Sequence, residues 1–173
     1  ENICAAITAS YLAGADVDSI RELVKKFPGL EHRLEFIAEK DGVKYYNDSF
    51  STTPDTAIAA IKSFSEPIIL IAGVSEKNAD YTELGKTISE SNIKTAILIG
   101  KTGPKIKKES MPKGTNKKIQ IIDTCKNLDD VIETVKKEAK SGDVVLLSPA
   151  SASFDWFRNY KDRGKQFKDK VLK

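Results

Sequence analysis

The sequence predicts an α/β fold: a doubly wound, mostly parallel, Rossmann-like sheet with an antiparallel edge hairpin, preceded by two helices. Three observations predict it. The runs Ile68-Ile69-Leu70-Ile71, Ala96-Ile97-Leu98-Ile99 and Val144-Val145-Leu146-Leu147 are apolar throughout rather than alternating, the pattern of parallel strands covered on both faces. Helical patterns separate them, as in alternating α/β units. Finally, Leu34 to Ala38 and Val43 to Tyr46 alternate and are joined by Asp41-Gly42, a hairpin turn signal.

Taken in order, the first thirty or so residues read as two helices. Ile3, Ala6, Ile7 and Tyr11 recur at helical spacing from the outset. The second helix is expected to open at Ser19, with Glu22 three positions on as a capping box, and to carry Ile20, Leu23, Val24 and Phe27 on one face until Pro28-Gly29 stops it. A chain that starts at Glu1 inside a helical pattern predicts an excised piece. The hairpin strands follow, then a helix from Pro54 to Phe64, with Thr53 as capping residue and Pro54 at the first helical position. The strand Ile68 to Ala72 leads to a helix from Tyr81 to Ile88 and a strand from Ala96 to Ile99. Ile119 to Ile122 is a further strand, Leu128 to Ala139 a helix, Val144 to Leu147 the last strand, and about Asp155 to Val171 the last helix. The three wholly apolar runs are expected at the centre of the sheet.

At 173 residues and 40% hydrophobic content the chain can bury one sizeable core. It contains no apolar run of about 18 residues and no leader pattern, so it reads as cytoplasmic, without a membrane partner. Cys4 and Cys125 lie far apart, with no paired spacing and no histidine cluster, so neither a zinc site nor a disulfide framework is indicated. A net charge of +3, from 28 basic and 25 acidic residues, does not announce a nucleic-acid partner. The densest basic stretch, Lys101, Lys105, Lys107, Lys108, Lys113, Lys117 and Lys118, lacks interleaved aromatics and contains Gly103, Pro104, Pro112 and Gly114; it reads as a solvated loop face.

Ligands of such sheets sit beyond the carboxyl ends of the strands. That rule selects four loops: Asn47 to Thr53, Gly73 to Lys77, Gly100 to Gly103, and Ser148 to Ser153. The first and last are rich in hydroxyls, and each is expected to feed a helix N-terminus, where free N–H groups favour an anion. Any single hydroxyl there is explained by capping alone; two such loops and Lys77 at one edge ask for more. Gly100-Lys101-Thr102 is not a phosphate loop, because Thr95 stands where that motif needs its first glycine and a strand fills the interval. His32 has a structural role by default, Arg33 is either a surface ion pair or a phosphate or ribose contact, and Asp48 is a cap, a solvated charge or a ligand contact. No catalytic triad, Cys-His pair or G-x-G-x-x-G fingerprint is present. The residues alone describe an anion-binding α/β domain.

The same loops resemble the C-terminal region of the Mur ligase family, in its D-glutamate-adding branch, over nearly the whole chain. The resemblance is carried by Gly29-Leu30-Glu31-His32-Arg33-Leu34-Glu35, Tyr46-Asn47-Asp48-Ser49 with Thr52, Gly73 with Lys77 and Ala79-Asp80-Tyr81, and Leu147-Ser148-Pro149-Ala150-Ser151-Ala152-Ser153-Phe154-Asp155 leading to Arg163-Gly164. It implies an ATP-dependent, magnesium-assisted ligase that phosphorylates the terminal carboxylate of UDP-N-acetylmuramoyl-L-alanine and lets the amine of D-glutamate attack the acyl phosphate, in peptidoglycan precursor synthesis. It further implies that residues 1–28 are the last helices of a central ATPase domain, residues 29–173 the amino-acid-binding domain, and the remaining domains the partners. ATP and Mg2+ are then held mainly outside this chain, and the chain alone is inactive. By motif position, Thr52, Lys77, Ser153, Phe154 and Tyr160 match residues that hold D-glutamate, and Asn2, Arg33 and Asp48 match residues that contact the nucleotide.

Three positions depart from the family pattern: Phe50 where a lysine is usual, Val74 where a glycine is usual and Ser151 where a cysteine is usual. Phe50 makes a Mur ligase adding another amino acid one alternative. A non-catalytic nucleotide-binding α/β module is a second, and a nucleic-acid-binding module built on the lysine-rich loop a third.

Overall fold

A computed structural model describes residues 2–75, 78–111 and 119–173. The chain opens with helices α1 (Asn2–Leu12) and α2 (Val17–Lys26). There follow β1 (Glu35–Lys40), β2 (Val43–Asn47), α3 (Pro54–Ile61), β3 (Ile68–Val74), α4 (Thr82–Glu90) and β4 (Ile93–Gly100). The remainder is α5 (Gly103–Glu109), β5 (Gln120–Ile122), α6 (Leu128–Glu138), β6 (Val144–Leu147) and α7 (Tyr160–Leu172). Among the described residues, the strands form one sheet in the order β1-β2-β6-β3-β4-β5. Only the β1–β2 pair is antiparallel.

The wholly apolar runs are the central strands β6, β3 and β4, as their pattern predicts. Their side chains divide by parity. Ile69, Ile71, Val145 and Leu147 join Val131, Val135, Phe167 and Val171 of α6 and α7 in one layer. Ile68, Leu70, Val144 and Leu146 join Ala57, Ile61, Leu84, Ile88 and Ile106 of α3, α4 and α5 in the other. Such continuous burial follows from parallel strands with helices on both faces. The hairpin turn also forms as its residues require: Asp41 and Gly42 both have positive φ, 54° and 74°, the geometry of a type I′ turn.

Three expectations need correction. Helix α2 begins at Val17, not after Ser19: Asp16 is the cap, its carboxylate accepting the Ser19 N–H at 2.8 Å, which places Ser19 inside the first turn. The lysine-rich stretch is not loop throughout, because Gly103–Glu109 is helix α5, with Pro104 in its first turn and Ile106 buried; Pro112, Lys113, Gly114, Lys117 and Lys118 lie outside the described residues. The last helix starts at Tyr160 rather than Asp155, because Asn159 is extended and accepts the Asp162 N–H at 2.9 Å, the N-cap arrangement. Among the described residues, no helix is long and apolar enough to cross a membrane.

Candidate functional site

Parallel pairing of β2 with β6 and of β6 with β3 brings the loops that follow these strands to one edge. Backbone bonds then tie them together. Asp48 N–H donates to Leu147 O (2.8 Å), Gly73 N–H to Pro149 O (2.8 Å) and Ser75 N–H to Ala152 O (3.1 Å). The Ser75 hydroxyl accepts the Asp155 N–H at 2.8 Å.

Arg163 completes the clasp. Its side chain is fully buried; Nε donates to the Ser49 hydroxyl (2.9 Å), Nη2 to Ser49 O (2.8 Å), and Nη1 to Ser151 O and Ala152 O (3.2 and 3.1 Å). One guanidinium thus joins the loop after β2 to the loop after β6, using the planar fork that lysine lacks. Burial pushes its pKa down to about 9, so the group is still cationic at neutral pH. The Ser49 hydroxyl in turn donates to Tyr160 O at 2.7 Å, fixing the start of α7 to the same loop. In the sequence, Arg163 stands out only through the resemblance, as part of Arg163-Gly164. The signal was there: Arg163, Phe167 and Val171 are spaced by four, a single helical stripe, and that stripe is buried.

Asp48 and His32 are likewise held from within. Asp48 is buried; Oδ1 accepts the Leu34 N–H (3.1 Å), and Oδ2 accepts the Ser51 and Ser148 hydroxyls, the latter at 2.8 Å. Burial raises its pKa against those bonds and against the nearby Arg33 charge. His32 is buried, with Nδ1 2.8 Å from Asn47 Nδ2. Asn47 Nδ2 also reaches Glu35 Oε2 at 3.0 Å, and Lys168 bonds the other Glu35 oxygen. Gly164 packs directly on this group, and a Cβ there would overlap His32 Nδ1.

The two hydroxyl residues expected to hold an acidic ligand lie in loops at this edge. Thr52 is half-buried in the loop after β2; Ser153 is buried in the loop after β6. Phe154 is 70% exposed beside it. Tyr160 begins α7, its ring edge-on to Phe50 at 5.1 Å and to His32 at 6.1 Å between centroids. Lys77 lies outside the described residues. One expectation fails here: the Ser148 to Ser153 loop does not feed a helix N-terminus, because a turn in which Ser153 O accepts the Phe157 N–H intervenes before Asn159 caps α7. This loop therefore offers an anion no helix dipole, and two of its hydroxyls, Ser148 and Ser151, already donate to Asp48 Oδ2 and Ala152 O.

The nucleotide candidates gather one step away. Asn2 and Arg33 both line a groove of about 920 Å3, together with Ile7, Leu23, Val24 and Phe27 of α1, α2 and the segment after them. Arg33 stands between His32 and Leu34, whose φ of 66° and 45° turn the chain sharply, and its guanidinium lies 5.9 Å above the Phe50 ring. Asp48 fixes this turn through the Leu34 amide. Val74 is buried with φ of 142°, a conformation a β-branched residue rarely adopts; Thr102 Oγ1 accepts its N–H at 2.9 Å and Lys101 N–H bonds its carbonyl at 2.7 Å. The Gly100-Lys101-Thr102 segment is therefore a brace, not a phosphate cradle. Among the described residues, one group of side chains has the composition of a metal site, Glu31, His32 and Glu35. Asn47 and Lys168 already engage it, which does not suit a magnesium ion that needs free oxygens in octahedral array. Cys4 and Cys125 are free thiols.

A doubly wound sheet whose strand-end loops are tied together at one edge, with an apolar groove lined by Arg33 and Leu34, is the architecture of a small-molecule-binding α/β domain. The chain belongs to the Mur ligase family: the family described as Mur ligase, glutamate ligase domain, matches residues 32–151. Among curated relatives, it is 42% identical to a UDP-N-acetylmuramoylalanine--D-glutamate ligase of Caldanaerobacter subterraneus, over 99% of this chain and 38% of that protein. It is 43% identical to the ligase of that name from Acetivibrio thermocellus and 42% to that from Clostridioides difficile, in each case over 99% of this chain and 37% of the relative. The chain thus spans a little over a third of their length. Solved structures share the fold at low identity: UDP-N-acetylmuramate-alanine ligase of Thermotoga maritima has a TM-score of 0.70 at 14% identity, covering 99% of this chain and 37% of that one. A bifunctional folylpolyglutamate synthase/dihydrofolate synthase of Yersinia pestis, complexed with AMPPNP and Mn ion, has 0.59 at 11%, covering 87% and 33%.

Proposed function

We propose that this chain is the amino-acid-receiving part of an ATP-dependent ligase that joins D-glutamate to UDP-N-acetylmuramoyl-L-alanine in cytoplasmic peptidoglycan precursor synthesis. The observation that carries the reading is the mouth clasped by Arg163, in a chain 42% identical along 99% of its length to relatives named for that reaction. Neither alternative, another amino acid or a non-catalytic module, has a comparable observation behind it.

In this reading Thr52, Ser153 and Lys77 bind the two carboxylates of D-glutamate, with Phe154 and Tyr160 as walls. Ser153 is 2% exposed, and its carbonyl accepts the Trp156 and Phe157 N–H groups, which fixes the backbone that carries its hydroxyl. Hydroxyl and ammonium donors to an ionised carboxylate make the stronger class of hydrogen bond. The amine of D-glutamate is thereby presented to the acyl phosphate, and positioning is the main contribution this chain makes. Asn2 and Arg33 contact the nucleotide at the groove, with Asp48 holding the Arg33 turn. Residues 1–28 are the last helices of the preceding ATPase domain, and the rest of the relatives' length supplies the phosphate loop and the ligands of Mg2+. Magnesium, when bound, neutralises charge during phosphoryl transfer.

Phosphate release by the ligase at the full length of its relatives tests the reading. D-glutamate should support release in the presence of ATP and UDP-N-acetylmuramoyl-L-alanine, whereas L-glutamate and D-aspartate should not. Equal release with another amino acid would overturn the assignment.

A further inference from the structure

The loop after β2 presents one large apolar side chain where its neighbours are small and polar. Phe50 is 44% exposed and belongs to neither apolar layer of the sheet, so core packing does not account for it. Its backbone is fixed, the N–H donating to His32 O at 2.9 Å. Its ring touches both sides of the rim: the Arg33 guanidinium lies 5.9 Å from the ring centroid, and the Tyr160 ring meets it edge-on at 5.1 Å and 80°. Both distances fall within the range of attractive cation–π and aromatic contacts.

We infer that Phe50 is a positioning residue, holding the Arg33 guanidinium at the groove and the Tyr160 ring at the hydroxyl mouth, so that the nucleotide side and the amino-acid side of the rim share one aromatic support. The inference rests on the roles given above to Arg33 and Tyr160. Arg33 is exposed and makes no ion pair with a carboxylate closer than 4 Å among the described residues; the ring is what limits its long side chain to one orientation. Arginine is suited to this because its planar, weakly hydrated head stacks on aromatic faces. Tyr160 is tied from the other side, since its carbonyl accepts the Ser49 hydroxyl. Removing the ring therefore loosens two contacts in opposite directions along the rim.

The test uses Phe50→Ala, Phe50→Trp, Arg33→Ala and the double variant Phe50→Ala/Arg33→Ala in the full-length ligase. Phe50→Ala should raise KM for ATP and for D-glutamate by about two- to fivefold each, the range of an exposed cation–π contact, with kcat changed less. Phe50→Trp, which keeps an aromatic face, should restore both. In the Arg33→Ala background, Phe50→Ala should raise KM for ATP no further, because the group it positions is gone; additive effects would overturn the inference. A second measurement does not depend on activity. In the 173-residue chain, the Arg33 Nε–H resonance should carry a ring-current shift that collapses in Phe50→Leu, and an unmoved resonance would overturn the inference. If wild-type ligase releases no phosphate with D-glutamate, the functional reading fails, and the resonance still decides whether Phe50 holds Arg33.

Discussion

At the carboxyl edge of the sheet, polar groups are buried and satisfied; in the α1–α2 pair, apolar groups are exposed and uncovered. Arg163, Asp48, Asn47, Ser49 and Ser148 are all buried at the edge, and each has hydrogen-bond partners inside the protein. Neither α1 nor α2 contains a buried residue, and Leu12, Leu23, Phe27 and Tyr11 stand open. Burying a polar group is costly unless it is bonded, and an apolar stripe gains nothing until something covers it. The first region is complete within this chain. The second leaves its apolar face uncovered within this chain, which fits the proposal that residues 1–28 close a preceding domain.

The comparison can be broken most sharply at Arg163. Arg163→Met should keep the apolar stem but leave Ser49 O, Ser151 O and Ala152 O without their donor, lowering stability by about 3–5 kcal/mol in urea unfolding. A loss below about 1 kcal/mol would show that the loops hold together without it. Next in size, Gly164→Ala should cost about 2 kcal/mol, typical of overpacking, because the new methyl meets His32 and Asn47, whose positions are fixed; a variant melting with wild type would contradict this.

A smaller effect should appear as pH is lowered. Burial alone would raise the Glu35 pKa, but bonds from Lys168, the His32 amide and Asn47 outweigh it and hold the carboxyl below its usual value of 4.5. A carboxyl whose folded pKa is depressed contributes its stability above the unfolded pKa and loses it as pH falls through the folded one. The stability difference between wild type and Glu35→Gln should therefore be full at neutral pH and shrink on acidification below 4.5. A constant difference across that window would show that the bonds from Lys168, Asn47 and the His32 amide do not stabilise the ionised Glu35. The smallest effect belongs to the helix pair. Leu23, 71% exposed, should change stability by less than about 0.5 kcal/mol on Leu23→Ala in this chain. In the full-length ligase the same substitution should cost about 2 kcal/mol, as for a core leucine. Equal effects in the two settings would show that nothing covers α2.

Most of the sheet was legible because its signals are redundant. Ile68 to Ile71 and Val144 to Leu147 are apolar on both parities, and Asp41-Gly42 admits few conformations other than a tight turn. The misread parts depend on competing local signals. Ser19 and Asp16 are both good caps, and only the backbone decides that Asp16 is extended, with φ −66° and ψ 137°. Prolines and glycines around Lys105 read as loop, yet Pro104 opens a short helix that buries Ile106. In the candidate site, Thr52 and Ser153 were legible as strand-end hydroxyls. Arg163 was not singled out, because an arginine among charged neighbours reads as solvent-facing until the Phe167 and Val171 stripe is followed back to it. Phe50 was visible only as a departure from a pattern; its contact with Arg33 comes from the left-handed turn at His32 and Leu34, which no residue type there announces.

The central claim is that the mouth clasped by Arg163 receives a dicarboxylic amino acid, and titration of the 15N-labelled chain with D-glutamate tests it most directly. Shifts should concentrate at Thr52, Lys77, Ser153, Phe154 and Tyr160, grow with D-glutamate, and be weaker with L-glutamate or D-aspartate. Shifts spread evenly over the chain, with none at Ser153 or Lys77, would contradict it.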